Sequence, residues 1–215
     1  MLYEYDCGDI HSVISNANSS TEGCHTESVI TLKEGLISLF SEGILCDIQL
    51  KTATEAFPAH KVVLSARSPV FKSMFETDMR EKTNNSVEIE DLDATTVRQM
   101  LLFLYSDTLD NLDYESARSL YFAADKYQIV SLRHMCSNFL KENLLYSNCC
   151  DVLLLADKHQ DKDLKISVQD CIADNDEVVL FSDEWKTLVE NEPRLTTEIL
   201  LGLYMKNRKI HLTSS

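Results

Sequence analysis

The sequence predicts an α/β fold: a small three-stranded sheet flanked by a helical cluster, followed by an all-helical C-terminal region. Three observations carry this expectation. The runs Leu45-Cys46-Asp47-Ile48-Gln49-Leu50 and Glu55-Ala56-Phe57 flank a turn around Thr52 to Thr54 and read as a strand hairpin. A third alternating run, Val87-Glu88-Ile89-Glu90, arrives only after two short apolar helices split by Ser68-Pro69. Beyond Asp93 the apolar residues recur at spacings of three and four almost to the end of the chain, which is helical periodicity.

Each element has its own local reason. Leu32, Leu36, Leu39 and Phe40 share one face of a short helix with Thr31 as a plausible N-cap, and Gly43 marks its end. A helix of about three turns is unstable alone, so this one packs either on its own subunit or against another copy. Ser68 at N-cap and Pro69 at N1 open a helix whose apolar face is Val70, Phe71, Met74 and Phe75. Three helices then follow through Val97 to Tyr105, Ala117 to Ala124 and Leu132 to Leu140. Ser147 is the expected cap of a fourth, in which Val152 to Leu155 should be well buried, and a fifth ends at Ile172. Ser182, with Asp183 and Glu184 in the first turn, opens a helix bearing Trp185 and Leu188 that Pro193 ends. A last helix is expected over Glu198 to Lys206.

Composition narrows the function. A length of 215 residues with 44% hydrophobic content suits a folded chain with a real core. A net charge of -15 argues against nucleic acid as a partner, because neutralising phosphates takes clustered Lys and Arg. Proteins are the expected partners. The 7 cysteines are odd in number and follow no apolar leader, which points to reduced thiols and to an intracellular location, nucleus or cytoplasm. No apolar run approaches the roughly 20 residues of a membrane span, so no membrane is expected either. Residues 1–30 are rich in Asn, Ser and Thr and read as a disordered arm.

Chemistry is harder to find. None of the 5 glycines belongs to a phosphate-binding loop, the 6 histidines are scattered, and there is no C-x-x-C pair. No catalytic residue, cofactor or metal is therefore expected. Asp47 and His60 interrupt apolar surroundings at two strand ends and are expected to form a structural polar network, satisfying each other or nearby backbone groups. Met79 is the residue hardest to place in the core: it lies between Asp78 and Arg80 in a polar loop. An apolar side chain displayed there is a candidate contact for another molecule.

In combination, Cys46-Asp47, Phe57-Pro58-Ala59-His60-Lys61, Leu64-Ser65-Ala66-Arg67-Ser68-Pro69, Phe103-Leu104-Tyr105 and Ala123-Ala124-Asp125-Lys126-Tyr127 resemble a BTB (POZ) domain. The continuation, Glu142-Asn143-Leu144 to Asp157-Lys158-His159 and on to Trp185-Lys186, is similar to the partial BACK region of the speckle-type POZ adaptors, without their upstream MATH domain. The resemblance implies a BTB domain over 31–143, a partial BACK region over 144–203 and a tail over 204–215. It further implies a homodimer through Leu32, Leu36, Leu39 and Val63, and docking of the cullin-3 N-terminal domain through Met79 and Glu81, so that a bound substrate is ubiquitinated and degraded by the proteasome. Where the family uses an exposed tyrosine for higher-order assembly this chain has Asp174, which favours dimers. Two other readings stay open: a chain that regulates full-length adaptors by heterodimerising with related BTB proteins, and a transcriptional co-repressor scaffold.

Overall fold

The computed structural model describes residues 30–76, 85–109 and 111–213, with side chains described as far as Lys206. Helix α1 (Leu32–Ser41) forms as expected and ends before Gly43, whose φ of +67° suits a residue without a side chain. Phe40 anchors it by stacking on Tyr105 with centroids 4.4 Å apart. Strands β1 (Ile48–Lys51) and β2 (Ala56–Ala59) pair antiparallel, Ile48 opposite Ala59 and Lys51 opposite Ala56. Strand β3 (Ser86–Glu88) pairs with β1 in parallel, Val87 opposite Leu50, so the order is β2-β1-β3.

The first strand starts three residues later than its apolar run suggests, because Leu45 takes a left-handed φ of 59° that extended backbone cannot hold. The second runs two residues beyond Phe57 and includes Pro58, tolerated because β2 is an edge strand.

Ser68 splits helices α2 (Lys61–Arg67) and α3 (Pro69–Glu76). Its hydroxyl accepts the Phe71 N–H at 3.1 Å and donates to the Tyr127 carbonyl at 2.6 Å, so one cap also fixes α3 to the chain ahead. Helices α4 (Ala94–Ser106), α5 (Tyr114–Lys126) and α6 (Val130–Glu142) follow. Asp93 and Asp113 cap the first two by accepting the Thr96 and Ser116 N–H groups at 2.8 Å. The core fills the space between sheet and helices with Leu50, Leu64, Phe71, Met100, Leu101, Leu120, Tyr121 and Leu132, all fully buried. Each large apolar side chain so buried contributes about 1.5–3 kcal/mol.

The second half is helical throughout: α7 (Cys149–Lys158), α8 (Lys162–Asp174), α9 (Asp176–Val179), α10 (Asp183–Asn191) and α11 (Pro193–Thr213). Asn148, not Ser147, occupies the cap position of α7, and its side-chain amide braces the preceding turn by donating to the Asn143 carbonyl and accepting the Leu145 N–H. Val152 and Leu153 are buried, whereas Leu154 and Leu155 are only half-buried. Ser182 caps α10 as expected, accepting the Trp185 N–H at 3.1 Å. Pro193 both stops α10 and starts α11, which therefore begins five residues before Glu198 and runs well past Lys206. Lys165 ties α7, α8 and α11 together through Asp157 at 2.7 Å and Glu198 at 3.0 Å.

Leu32 onward forms one unit. Of the N-terminal arm expected over 1–30, residues 1–29 lie outside the described residues. Among the described residues, no helix is long and apolar enough to cross a membrane.

Candidate interaction surface

The residues singled out from the sequence fall into three groups. Leu36 and Leu39 are half-buried on α1 and Leu32 is 81% exposed, so this helix packs only part of its apolar face on its own protomer. Beside it the apolar doublet of α2 is divided: Val63 points into the protein's core at 7% exposure, and Val62 stands out at 72%. Leu32, Leu36, Val62, Ala66 and Leu104 line an apolar cleft of about 450 Å³, with Val63 also on its wall and Arg67, paired to Asp107, at its rim. The outward residue of this helix is thus Val62, with Val63, the residue the motif points to, set deeper on the same wall. The signal was its phase: Val62 lies one turn from Ala66, on the cleft side, while Val63 and Leu64 face the core.

His60 and Asp47 do not satisfy each other. His60 is buried and lies at the junction of β2 and α2. Its Nε2 is 2.8 Å from the Ile44 carbonyl, which only accepts, so that nitrogen carries the proton. Nδ1 then accepts from the Tyr105 hydroxyl at 2.7 Å, and the same oxygen accepts the His60 backbone N–H at 2.9 Å. Burial pushes the Tyr105 phenol up to about 12, so it is a neutral donor at every relevant pH. Asp47 is exposed, contrary to the expectation of burial, and accepts the Lys61 N–H at 2.7 Å. It supplies the side-chain cap for α2 that His60, at the N-cap position, does not provide.

A second polar junction, unflagged in the sequence, joins the two halves. Asp161 accepts from the Tyr121 hydroxyl at 3.0 Å, the Ser137 hydroxyl at 2.9 Å and the Leu164 N–H at 3.0 Å. Burial opposes its charge, but these donors outweigh that and hold the carboxyl below its usual range. Four residues after Tyr121, Asp125 accepts from Arg133 at 2.9 Å and lies 2.7 Å from His159 Nδ1. Among the described residues no three His, Cys, Asp or Glu side chains gather as a metal site. Met79 and Glu81, between α3 and β3 in the chain, lie outside the described residues.

Polar clusters here serve packing, and the exposed chemistry is an apolar cleft beside a helix pair. That arrangement defines a protein-interaction module. Residues 36–144 match the BTB/POZ domain family, and the chain belongs to it. BTB domains mediate dimerisation and protein interactions, an adaptor role rather than a catalytic one. TD and POZ domain-containing protein 5 of Mus musculus is 38% identical over 165 residues, covering 76% of this chain and 48% of the relative. TD and POZ domain-containing protein 4 of Mus musculus is 36% identical over 179 residues, covering 83% and 48%. These relatives are TD and POZ domain-containing proteins, not the speckle-type POZ adaptors that the motifs suggested. The chain spans about half the length of the curated relatives it matches. Among solved structures, the BTB domain of zebrafish PATZ1 aligns with a TM-score of 0.47 and 25% identity, covering 58% of this chain and 100% of that one.

Proposed function

We propose that this chain is a homodimeric adaptor that recruits cullin-3 through its BTB domain and so brings a bound substrate to the ubiquitin-transfer machinery for proteasomal degradation. The observation that carries the reading is Met79-Arg80-Glu81, an apolar residue followed two positions later by Glu, between α3 and β3 of a BTB/POZ domain. Burying one methionine in a partner contributes about 1.5–3 kcal/mol, and a few such anchors dominate an interface. Glu81 adds a charge-assisted hydrogen bond. Self-association uses the cleft between α1 and α2, with Leu32, Leu36, Leu39 and Val62 offered to the second copy and Val63 supporting them from below. The Asp174 carboxylate, exposed at the end of α8, opposes a further contact there and favours a dimer.

A pull-down of the full chain with the cullin-3 N-terminal domain tests this. In protein shown by light scattering to stay dimeric, Met79→Asp should weaken binding about ten- to a hundredfold, at 1.4 kcal/mol per decade, and Glu81→Ala should weaken it less. Undiminished capture by both variants removes the proposal.

A further inference from the structure

Two basins meet at His134 on α6. One, of about 380 Å³, lies between the second half of α6 and the turn from α7 to α8, with Arg133, Lys141 and Lys162 on its walls. The other, of about 860 Å³, lies between the α2–α3 corner and the start of α6, with Arg67 and Lys72 on its walls. Among the described residues these five cations face two carboxylates in the basins, Asp161 and Asp163, on a chain that carries 35 acidic residues and a net charge of -15.

The existing pairings leave part of this charge available. Asp161 is already occupied by three donors. Arg133 bonds Asp125, Arg67 bonds Asp107, and Lys72 reaches the exposed Glu76 only at 3.8 Å. Lys141 and Lys162 have no carboxylate within ion-pair distance among the described residues, although Lys141 acts on Asp161 through its field. The Arg133 guanidinium also lies over the Tyr121 ring, 5.7 Å from its centroid, so Lys141 and Lys162 carry most of the available charge. Between the cations lie neutral hydrogen-bonding groups, Ser137 and Asn138 in one basin and Gln128 and Ser131 in the other.

We propose that the joined basins along α6 form a docking groove for an Asp/Glu-rich peptide segment of a partner protein. Five cations distributed over two basins that share His134 offer several separate binding points, which suits a chain of carboxylates better than one small anion. The chain's overall negative charge does not veto this. At physiological ionic strength the screening length is about 8 Å, so the nearest cations outweigh distant carboxylates. A nucleic acid presents its phosphates continuously and needs clustered Lys and Arg over a longer stretch than five cations supply, on a chain with a net charge of -15. The groove is independent of whether cullin binds.

The test uses the full chain and a fluorescein-labelled peptide of ten glutamates, read by anisotropy, with a ten-glutamine peptide as control. The glutamate peptide should bind at low salt, weaken as salt rises, and lose at least tenfold in affinity to the double variant Lys141→Glu/Lys162→Glu. Lys186→Glu, outside the basins, should leave binding unchanged. Should the reversed double variant unfold, Lys141→Gln/Lys162→Gln takes its place, with a loss of about threefold expected. Absence of wild-type binding, equal loss in Lys186→Glu, or equally tight binding of a ten-nucleotide single-stranded RNA overturns the proposal.

Discussion

Removing one hydroxyl from the His60 network gives the sharpest test of what holds the first half together. Tyr105→Phe keeps the ring that stacks on Phe40 and deletes only the oxygen that serves two His60 groups, the backbone N–H at 2.9 Å and Nδ1 at 2.7 Å. Tyr105 is 5% exposed and His60 6%, so water has little access to replace it. Leaving a buried polar group unpartnered costs about 1–3 kcal/mol, and with two groups orphaned the expected loss is about 2–4 kcal/mol. Urea unfolding followed by far-UV circular dichroism, at fixed protein concentration because a dimer's stability depends on it, should show a lower midpoint with an unchanged slope. A domain of this size loses roughly 2–4 °C in Tm per kcal/mol, so the melting temperature should fall in step. A loss below about 0.5 kcal/mol would mean that the network is incidental to stability.

Other outcomes follow from the same geometry. Val62→Glu places a charge on the cleft without touching the core, so light scattering should show a shift toward monomer at micromolar concentration while the circular dichroism spectrum is retained; a wild-type dimer population would place the interface elsewhere. Asp47→Ala removes the acceptor for the Lys61 N–H and should cost about 1 kcal/mol, read as a lower urea midpoint. Asp161 has a folded-state pKa held below its ordinary value of 3.8, so its contribution is complete above that value and is lost as the pH falls through about 4 and below. Asp161→Asn should therefore lower stability at pH 7 and flatten the acid limb of the stability profile; an acid limb that matches wild type refutes the assignment.

Local signals in the sequence were strong wherever a residue acts on its own neighbours. Ser68-Pro69 and Ser182 mark helix starts because a hydroxyl reaches an N–H three residues ahead, and both were legible. The resemblance of the motif-bearing residues likewise led to the BTB/POZ family, which residues 36–144 match. What escaped depends on distance along the chain. Asp47 caps a helix that begins 14 residues later, and Asp161 gathers donors from Tyr121 and Ser137, 40 and 24 residues away. No spacing rule connects such residues. The Val62-Val63 doublet is ambiguous for another reason: two identical side chains in succession face about 100° apart on a helix, and the phase set by Ala66, one turn from Val62, is the signal that places Val62 outward. The start of β1 was misjudged because Leu45 is apolar enough to extend the run, while its backbone turns the other way.

The sheet has a mechanical consequence. β1 and β2 are joined by a short turn, but β3 returns to β1 only after α2 and α3 and the segment that carries Met79. It is held there through three paired residues, with the Gln49 N–H reaching the Asn85 carbonyl at 2.9 Å and the Ile89 N–H the Lys51 carbonyl at 2.7 Å. With only three residues in the ladder, β3 passes any tension it receives to β1, the central strand, which carries it across to β2.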